Sequence, residues 1–192
     1  MTTANILYIP SSMTVIPDNY YEDGSGSSNG DYTDISWGYS QVETIGSGAF
    51  SENSFTSLEI PNSVKVIGSN AFFKSKITTL SFDLIDSTLT TIGDSAFKSN
   101  KITTLVIPNS VTTIGEEAFR FNDISSLTFQ SDSELSSIGI EAFHDQEITT
   151  LEIPNSVMTI GEGAFIQNPL TDLILSYDSS SLFDIETTFG ND

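Results

Sequence analysis

The chain has 192 residues, 38% of them hydrophobic, and carries a formal net charge of −20. That length and apolar content are enough for one domain with a hydrophobic core, while the absence of cysteine excludes disulfides, thiolate metal sites and a cysteine nucleophile. The acidity opposes binding to nucleic acid and to anionic membranes, so we expect neither as a partner.

The charge is unevenly distributed along the chain. All six basic residues lie between positions 65 and 120, beside five acidic residues, whereas residues 1–64 carry eight acids and residues 121–192 carry thirteen, with no base in either segment. Such ends favour cations, basic partners or uncharged glycans. The interpretation that we favour, however, is that excess acid only keeps a repeat protein soluble and monomeric.

The opening stretch, MTTANILYIPSSMTVIP, has neither the basic segment nor the apolar run of a signal peptide. No later segment has the roughly eighteen consecutive apolar residues that a membrane helix needs, so we expect no membrane insertion. Residues 7–21, LYIPSSMTVIPDNYY, instead resemble the later LVIPNSVTTIGEEAF, which predicts an atypical first coil.

A Gly/Ser-rich insertion follows at residues 21–40 and is predicted to form a loop. It contains Tyr32, Trp37 and Tyr39. The interpretation that we favour is that these aromatic side chains seal the N-terminal end of the core, and the alternative is that they form a secondary ligand-binding platform.

A repeat then runs through the chain. The dipeptide Ile-Gly begins at Ile45, Ile67, Ile92, Ile114, Ile138 and Ile160, at spacings of 22, 25, 22, 24 and 22 residues, and the Phe of each Ala-Phe pair recurs at the same intervals. A period in the twenties is the signature of a solenoid. Short connectors, IPNSV, alternate with longer ones at 82–89 and 129–135.

Residues 102–122 illustrate one coil. In residues 104–107 the apolar positions alternate, so Leu105 and Ile107 are predicted to face the core and Thr104 and Val106 to face outward from a short strand. Pro108 ends that strand because it has no N–H to continue a ladder.

The second half of the coil is predicted to be a turn. Gly115 indicates either a positive φ or a close approach of backbone, and residues 116–119 are typical of one short helical or 3₁₀ turn that places Phe119 in the interior. A polar residue follows three positions after each Phe and is predicted to satisfy buried backbone groups. These residues are Asn53, Ser75, Asn100, Asn122, Gln146 and Asn168.

The motif IPNSVxxIGxxAF resembles the BspA-like (Treponema-type) leucine-rich repeats, with Asn in place of the Cys often found after AFxx. The resemblance implies a right-handed α/β leucine-rich-repeat solenoid with a parallel β-sheet on one face and short helical or 3₁₀ turns on the other. It also implies a noncatalytic surface or secreted protein of bacteria or protists that acts in adhesion and protein binding.

On this basis the chain is predicted to be one solenoid domain, residues 1–192. It comprises an atypical N-terminal coil and insertion (1–40), six regular repeats (41–175) and a truncated C-terminal cap (176–192). The sequence predicts no cofactor and no metal site, although Asp83, Asp86, Asp132 and Glu134 of the longer connectors could together collect divalent ions loosely.

Outward-facing strand residues are the main candidate site for a protein or glycan, since the sheets of solenoids usually hold partners. The alternative is that Ser and Thr are merely good exposed strand residues. The candidates are Ser57, Glu59, Thr79, Ser81, Thr104, Val106, Ser126, Thr128, Thr150 and Glu152.

Three further functions are weighed against binding. Catalysis is disfavoured because the single histidine, His144, has no nucleophile beside it in the sequence. A rigid structural subunit of a larger surface, fibre or virus-like assembly is the principal alternative. Ice binding by recurrent Thr pairs is opposed by Glu59, Val106 and Glu152, which interrupt a flat Thr array.

Overall fold

A computed structural model describes residues 6–8, 13–16, 34–37, 41–175 and 188. These residues contain fifteen strands and a series of turns. In chain order the strands are β1 (Ile6–Tyr8), β2 (Val15–Ile16), β3 (Asp34–Ser36), β4 (Thr44–Ile45), β5 (Ser57–Ile60), β6 (Val66–Ile67), β7 (Thr79–Phe82), β8 (Thr91–Ile92), β9 (Thr104–Ile107), β10 (Thr113–Ile114), β11 (Ser126–Phe129), β12 (Ser137–Ile138), β13 (Thr150–Ile153), β14 (Thr159–Ile160) and β15 (Asp172–Leu175).

Each regular coil contributes one longer strand, one two-residue strand and one run of turns. Strand β9 alternates exposed and buried residues as predicted, with Leu105 and Ile107 inside. The chain turns at Pro108, and the coil then places Val111 and Ile114 in the core. The outward side of the longer strands is called the strand face below, and the side formed by the Ala-Phe turns is called the turn side.

Two sets of parallel strands stack the coils. The two-residue strands form one continuous seven-stranded sheet from β2 to β14. The longer strands pair only in twos, as β1–β3, β5–β7, β9–β11 and β13–β15. Within residues 41–175 the pairing of the longer strands is interrupted after β7 and after β11. These are the strands that the long connectors 82–89 and 129–135 follow. The expected repeat solenoid is therefore confirmed, but its longer strands do not form an unbroken sheet.

The Phe side chains form a continuous stack through the core. Six rings, Phe50, Phe72, Phe97, Phe119, Phe143 and Phe165, lie with successive centroids 5.2–5.4 Å apart and ring planes 4–20° from parallel. All six side chains are fully buried. A buried aromatic contributes several kcal/mol, roughly 3–5 by the cost of its removal, so this stack is a major source of stability.

The glycine of the Ile-Gly dipeptide is required by close approach and not by a positive φ. A Cβ on Gly115 would lie 2.6 Å from the Asp94 nitrogen and 2.7 Å from the Gly93 carbonyl carbon, and one on Gly139 would lie 2.5 Å from the Glu116 nitrogen. Adjacent coils touch backbone to backbone at this point, so any side chain would force them apart.

The turn side consists of hydrogen-bonded turns with little helix. Glu117 and Phe121, on either side of Phe119, have φ of 54° and 59°. These left-handed residues interrupt a helical run and direct N–H groups toward the next coil. Glu117 donates to Ile140 O (2.8 Å), Phe119 to Ala142 O (2.9 Å) and Phe121 to His144 O (3.2 Å). Backbone donors that a helix would use internally therefore join successive coils.

The six polar residues that follow three positions after each Phe, called the polar ladder below, bond to backbone groups as predicted. The Asn122 amide nitrogen donates to Phe97 O (3.0 Å) and Phe119 O (2.7 Å), while its oxygen accepts from the Ile102 N–H (3.1 Å). Asn100 and Asn168 make the same three contacts. Because Asn122 is 5% exposed, these bonds satisfy backbone groups that water cannot reach.

Candidate functional site

The ten predicted strand-face residues all lie on one exposed surface. The exposed positions alternate with buried ones in β5, β7, β9, β11 and β13. They fall into two rows, which are in register within the β5–β7 and β9–β11 pairs. One row holds Ser57, Thr79, Thr104, Ser126 and Thr150, and the other holds Glu59, Ser81, Val106, Thr128 and Glu152. Their arrangement as a surface is as predicted, and their role in binding stays a prediction.

Strand β15 extends this face beyond the predicted residues. Asp172 pairs with Thr150 and Ile174 pairs with Glu152, so both rows gain a member. Ile174 is 48% exposed. The signal was present in the sequence, because residues 170–175, LTDLIL, share the apolar spacing of ITTLEI at 148–153.

Two clefts open where the longer strands are not paired. The larger has a volume of about 580 Å³ and lies between β11 and β13, and the smaller, of about 120 Å³, lies between β7 and β9. The repeat pattern of the sequence does not predict these clefts, because both depend on the spacing between strands of different coils. Thr128 and Glu152 of the strand face border the larger cleft.

The connectors beside the two clefts differ. Leu84 lines the smaller cleft and packs against the core. Connector 129–135 is one residue shorter than 82–89 and has Ser131 at that place. Correspondingly, Phe82 is 7% exposed and lies edge-on to Phe97, whereas Phe129 is only half-buried at the larger cleft.

The predicted aromatic platform is described only at Trp37. Its ring lies edge-on to Phe50 with centroids 6.3 Å apart, and its Nε1 is buried with no hydrogen-bond partner among the described residues. This position favours sealing of the core over ligand binding for Trp37. Tyr32 and Tyr39 lie outside the described residues, as does the C-terminal cap apart from Thr188, whose carbonyl accepts the Phe165 N–H (3.0 Å).

A cluster of ion pairs lies on the turn side. Glu117 accepts from Lys98 (2.6 Å) and Arg120 (2.5 Å), and Arg120 also pairs with Glu141. Burial of Glu117 acts to raise its pKa, but hydrogen bonds from Lys98 and Arg120 and their positive charges outweigh it, so the pKa lies below its usual value. The two basic and two acidic side chains of this cluster pair with one another and link three coils.

The acidic residues of the long connectors and His144 all lie among the described residues. In the ranges described, no three His, Asp or Glu side chains converge as metal ligands, so the connector carboxylates do not form a common site there. His144 lies edge-on to Phe121, with ring centroids 6.2 Å apart. Across the same residues, no helix has the length and apolar character needed to cross a bilayer.

A family model described as "BspA type Leucine rich repeat region" matches residues 43–173 in six copies. The chain belongs to this family. The match covers the coils that carry the Phe stack, the polar ladder and the strand face. No curated protein matches the chain.

Two solved structures are similar to this family member. The pneumococcal vaccine antigen PcpA is 26% identical, with a TM-score of 0.70 over 95% of this chain and 43% of its own. A leucine-rich cell surface protein of Faecalibacterium prausnitzii A2-165 is 20% identical, with a TM-score of 0.57 over 91% of this chain and 48% of its own, and it supports the fold alone. The chain thus spans less than half of each of these structures.

Proposed function

We propose that this BspA-type chain is a noncatalytic recognition module that binds a protein or a glycan through its strand face, in adhesion or another form of surface recognition. The observation that carries the proposal is the strand face itself, an exposed surface on which most side chains are small and polar and which extends to β15. Small side chains let a partner approach the strands closely, and the rigid stack of coils presents them without a large ordering cost.

Similarity to PcpA, a protein described as a vaccine antigen, supports a place at the cell surface. We place the chain there as part of the same proposal. The acidic charge, −20, favours a basic protein or an uncharged glycan over an anionic partner.

The test is binding of the full chain to arrays of glycans and of extracellular proteins. The variant Thr104→Arg with Thr150→Arg places two bulky cations on the strand face, and neither position lines the larger cleft. The control, Met158→Arg with Gln167→Arg, adds the same charge at exposed positions outside the strand face. We expect affinity for the captured partner to fall by about tenfold or more in the first variant only.

Equal binding by both variants would show that the binding site does not lie on the strand face. Concentration-dependent assembly of the chain in light scattering, with no partner on either array, would instead favour the structural-subunit interpretation.

A further inference from the structure

The larger cleft has the size of a small-ligand binding site. Its volume of about 580 Å³ lies within the range of roughly 300–1,000 Å³ that is common for ligand pockets. It lies beside the unpaired strands β11 and β13 and between the connectors that follow them, and it borders the strand face at Thr128 and Glu152. A partner lying across this end of the strand face would therefore reach the cleft.

Two carboxylates without ion-pair partners border this cleft. Asp132 stands on the connector that follows β11, and Glu152 stands on β13. Within the described ranges, neither forms an ion pair, whereas Glu43, Glu117 and Asp123 each pair with a Lys. The sequence has no Lys or Arg after Arg120, so no basic residue lies close in sequence to either carboxylate.

An aromatic ring accompanies the carboxylates. Phe129, at the end of β11, lines the cleft and is half-buried. Phe rings elsewhere in the chain already contact cations. The Arg120 guanidinium lies 4.5 Å from the centre of Phe121, and the Lys74 ammonium lies 4.8 Å from that of Phe73. A planar guanidinium can stack on such a ring and at the same time bind carboxylates, which an ammonium does less well.

A serine hydroxyl in the wall of the cleft lacks its usual partner. Ser63 and Ser110, its counterparts in the other IPNSV connectors, donate to Val42 O (2.9 Å) and Leu89 O (2.8 Å) of the preceding coil. The Ser156 Oγ is buried and has no partner among the described residues. The hydrogen bond to the preceding coil that Ser63 and Ser110 make is therefore not made by Ser156.

We propose that the cleft between β11 and β13 is the anchor site for an arginine side chain, presented by an extended segment of a protein partner. This inference rests on the proposed function, because the partner must lie on the strand face. The unpaired carboxylates of Asp132 and Glu152, in a segment with thirteen acids and no base, favour a cation over a neutral glycan.

The experiment uses the full chain labelled with ¹⁵N and two synthetic probes. One is the pentapeptide acetyl-Gly-Ser-Arg-Ser-Gly-amide, and the other carries citrulline, which has nearly the same shape but no charge, in place of arginine. We expect the arginine peptide to shift the amide resonances of Thr128, Ser131, Asn155 and Ser156 in a saturable manner. The citrulline peptide should bind about tenfold more weakly or less.

Two charge-matched variants locate the effect. Asp132→Asn with Glu152→Gln removes both cleft carboxylates, while Asp83→Asn with Asp86→Asn removes the same charge from the other long connector. We expect the first variant to lose about tenfold in affinity for the arginine peptide and the second to change less than about twofold.

Three outcomes would overturn the inference. These are equal binding of the citrulline peptide, an equal loss in both variants, or cleft shifts produced by N-acetylglucosamine or galactose but not by the arginine peptide. The failure of this inference is separable from failure of the proposed function. If a partner found on the arrays is lost with the strand-face variant yet retained by Asp132→Asn with Glu152→Gln, the recognition surface stands and the arginine anchor does not.

Discussion

On the turn side each of the five regular coils from Ile45 to Ile138 donates three backbone hydrogen bonds to the next coil, as Glu117, Phe119 and Phe121 do, whereas on the strand face the longer strands are joined only in pairs. The turn side is built from the part of the repeat that hardly varies, Ala-Phe and the polar residue three positions later. The strand face adjoins the connectors, which vary in length. The more regular hydrogen bonding between coils and the proposed recognition surface thus lie on different sides of one coil.

The largest expected effect concerns the Phe stack. Phe119→Ala would remove a fully buried ring that stacks on both Phe97 and Phe143, so we expect a loss of about 3–5 kcal/mol in the free energy of unfolding. Phe129→Ala, at the half-buried cleft position, should cost less than half of that. Denaturant unfolding monitored by circular dichroism measures both, and equal losses would contradict the contrast between the two sides.

The polar ladder should matter next. Asn122→Ala would leave the Ile102 N–H and two Phe carbonyls buried without this partner, so we expect a loss of about 1–3 kcal/mol. Ser126→Ala, on the exposed strand face, is the control and should change stability by less than about 0.5 kcal/mol. Amide hydrogen exchange would add a local readout, because Ile102 should lose protection in the first variant alone.

The ion-pair cluster predicts a smaller, pH-dependent effect. The pKa of Glu117 is lower in the folded state, so its contribution to stability is present above the ordinary glutamate pKa of the unfolded chain and is lost as pH falls through the lower folded pKa. In Glu117→Gln this acid-dependent part should be absent. Unfolding curves of both proteins between neutral pH and acid pH measure the difference, which should close as the pH falls, and parallel curves would show that Glu117 contributes no such linkage.

The sequence predicted the structural features that depend on the repeat period and missed those that depend on departures from that period. The Ile-Gly and Ala-Phe spacings predicted the Phe stack and the ladder of Asn122, because identical residues at a constant interval must meet in a stacked coil. The pairing of the longer strands and the clefts depend on how connectors 82–89 and 129–135 pack across coils. A left-handed conformation at Glu117 likewise follows from bonds to the next coil, which a single repeat does not reveal.

The smallest expected change in stability concerns the larger cleft, which a substitution should make more like the smaller one. Ser131→Leu places in the larger cleft a side chain like Leu84, which packs against the core beside the smaller one. Because the new side chain covers apolar surface near Phe129, we expect a gain of under about 1 kcal/mol in the free energy of unfolding. The same substitution should reduce the volume open to a ligand. A crystal structure of the variant would test this, and a cleft of unchanged volume would mean that strand spacing, and not the connector side chain, sets its size.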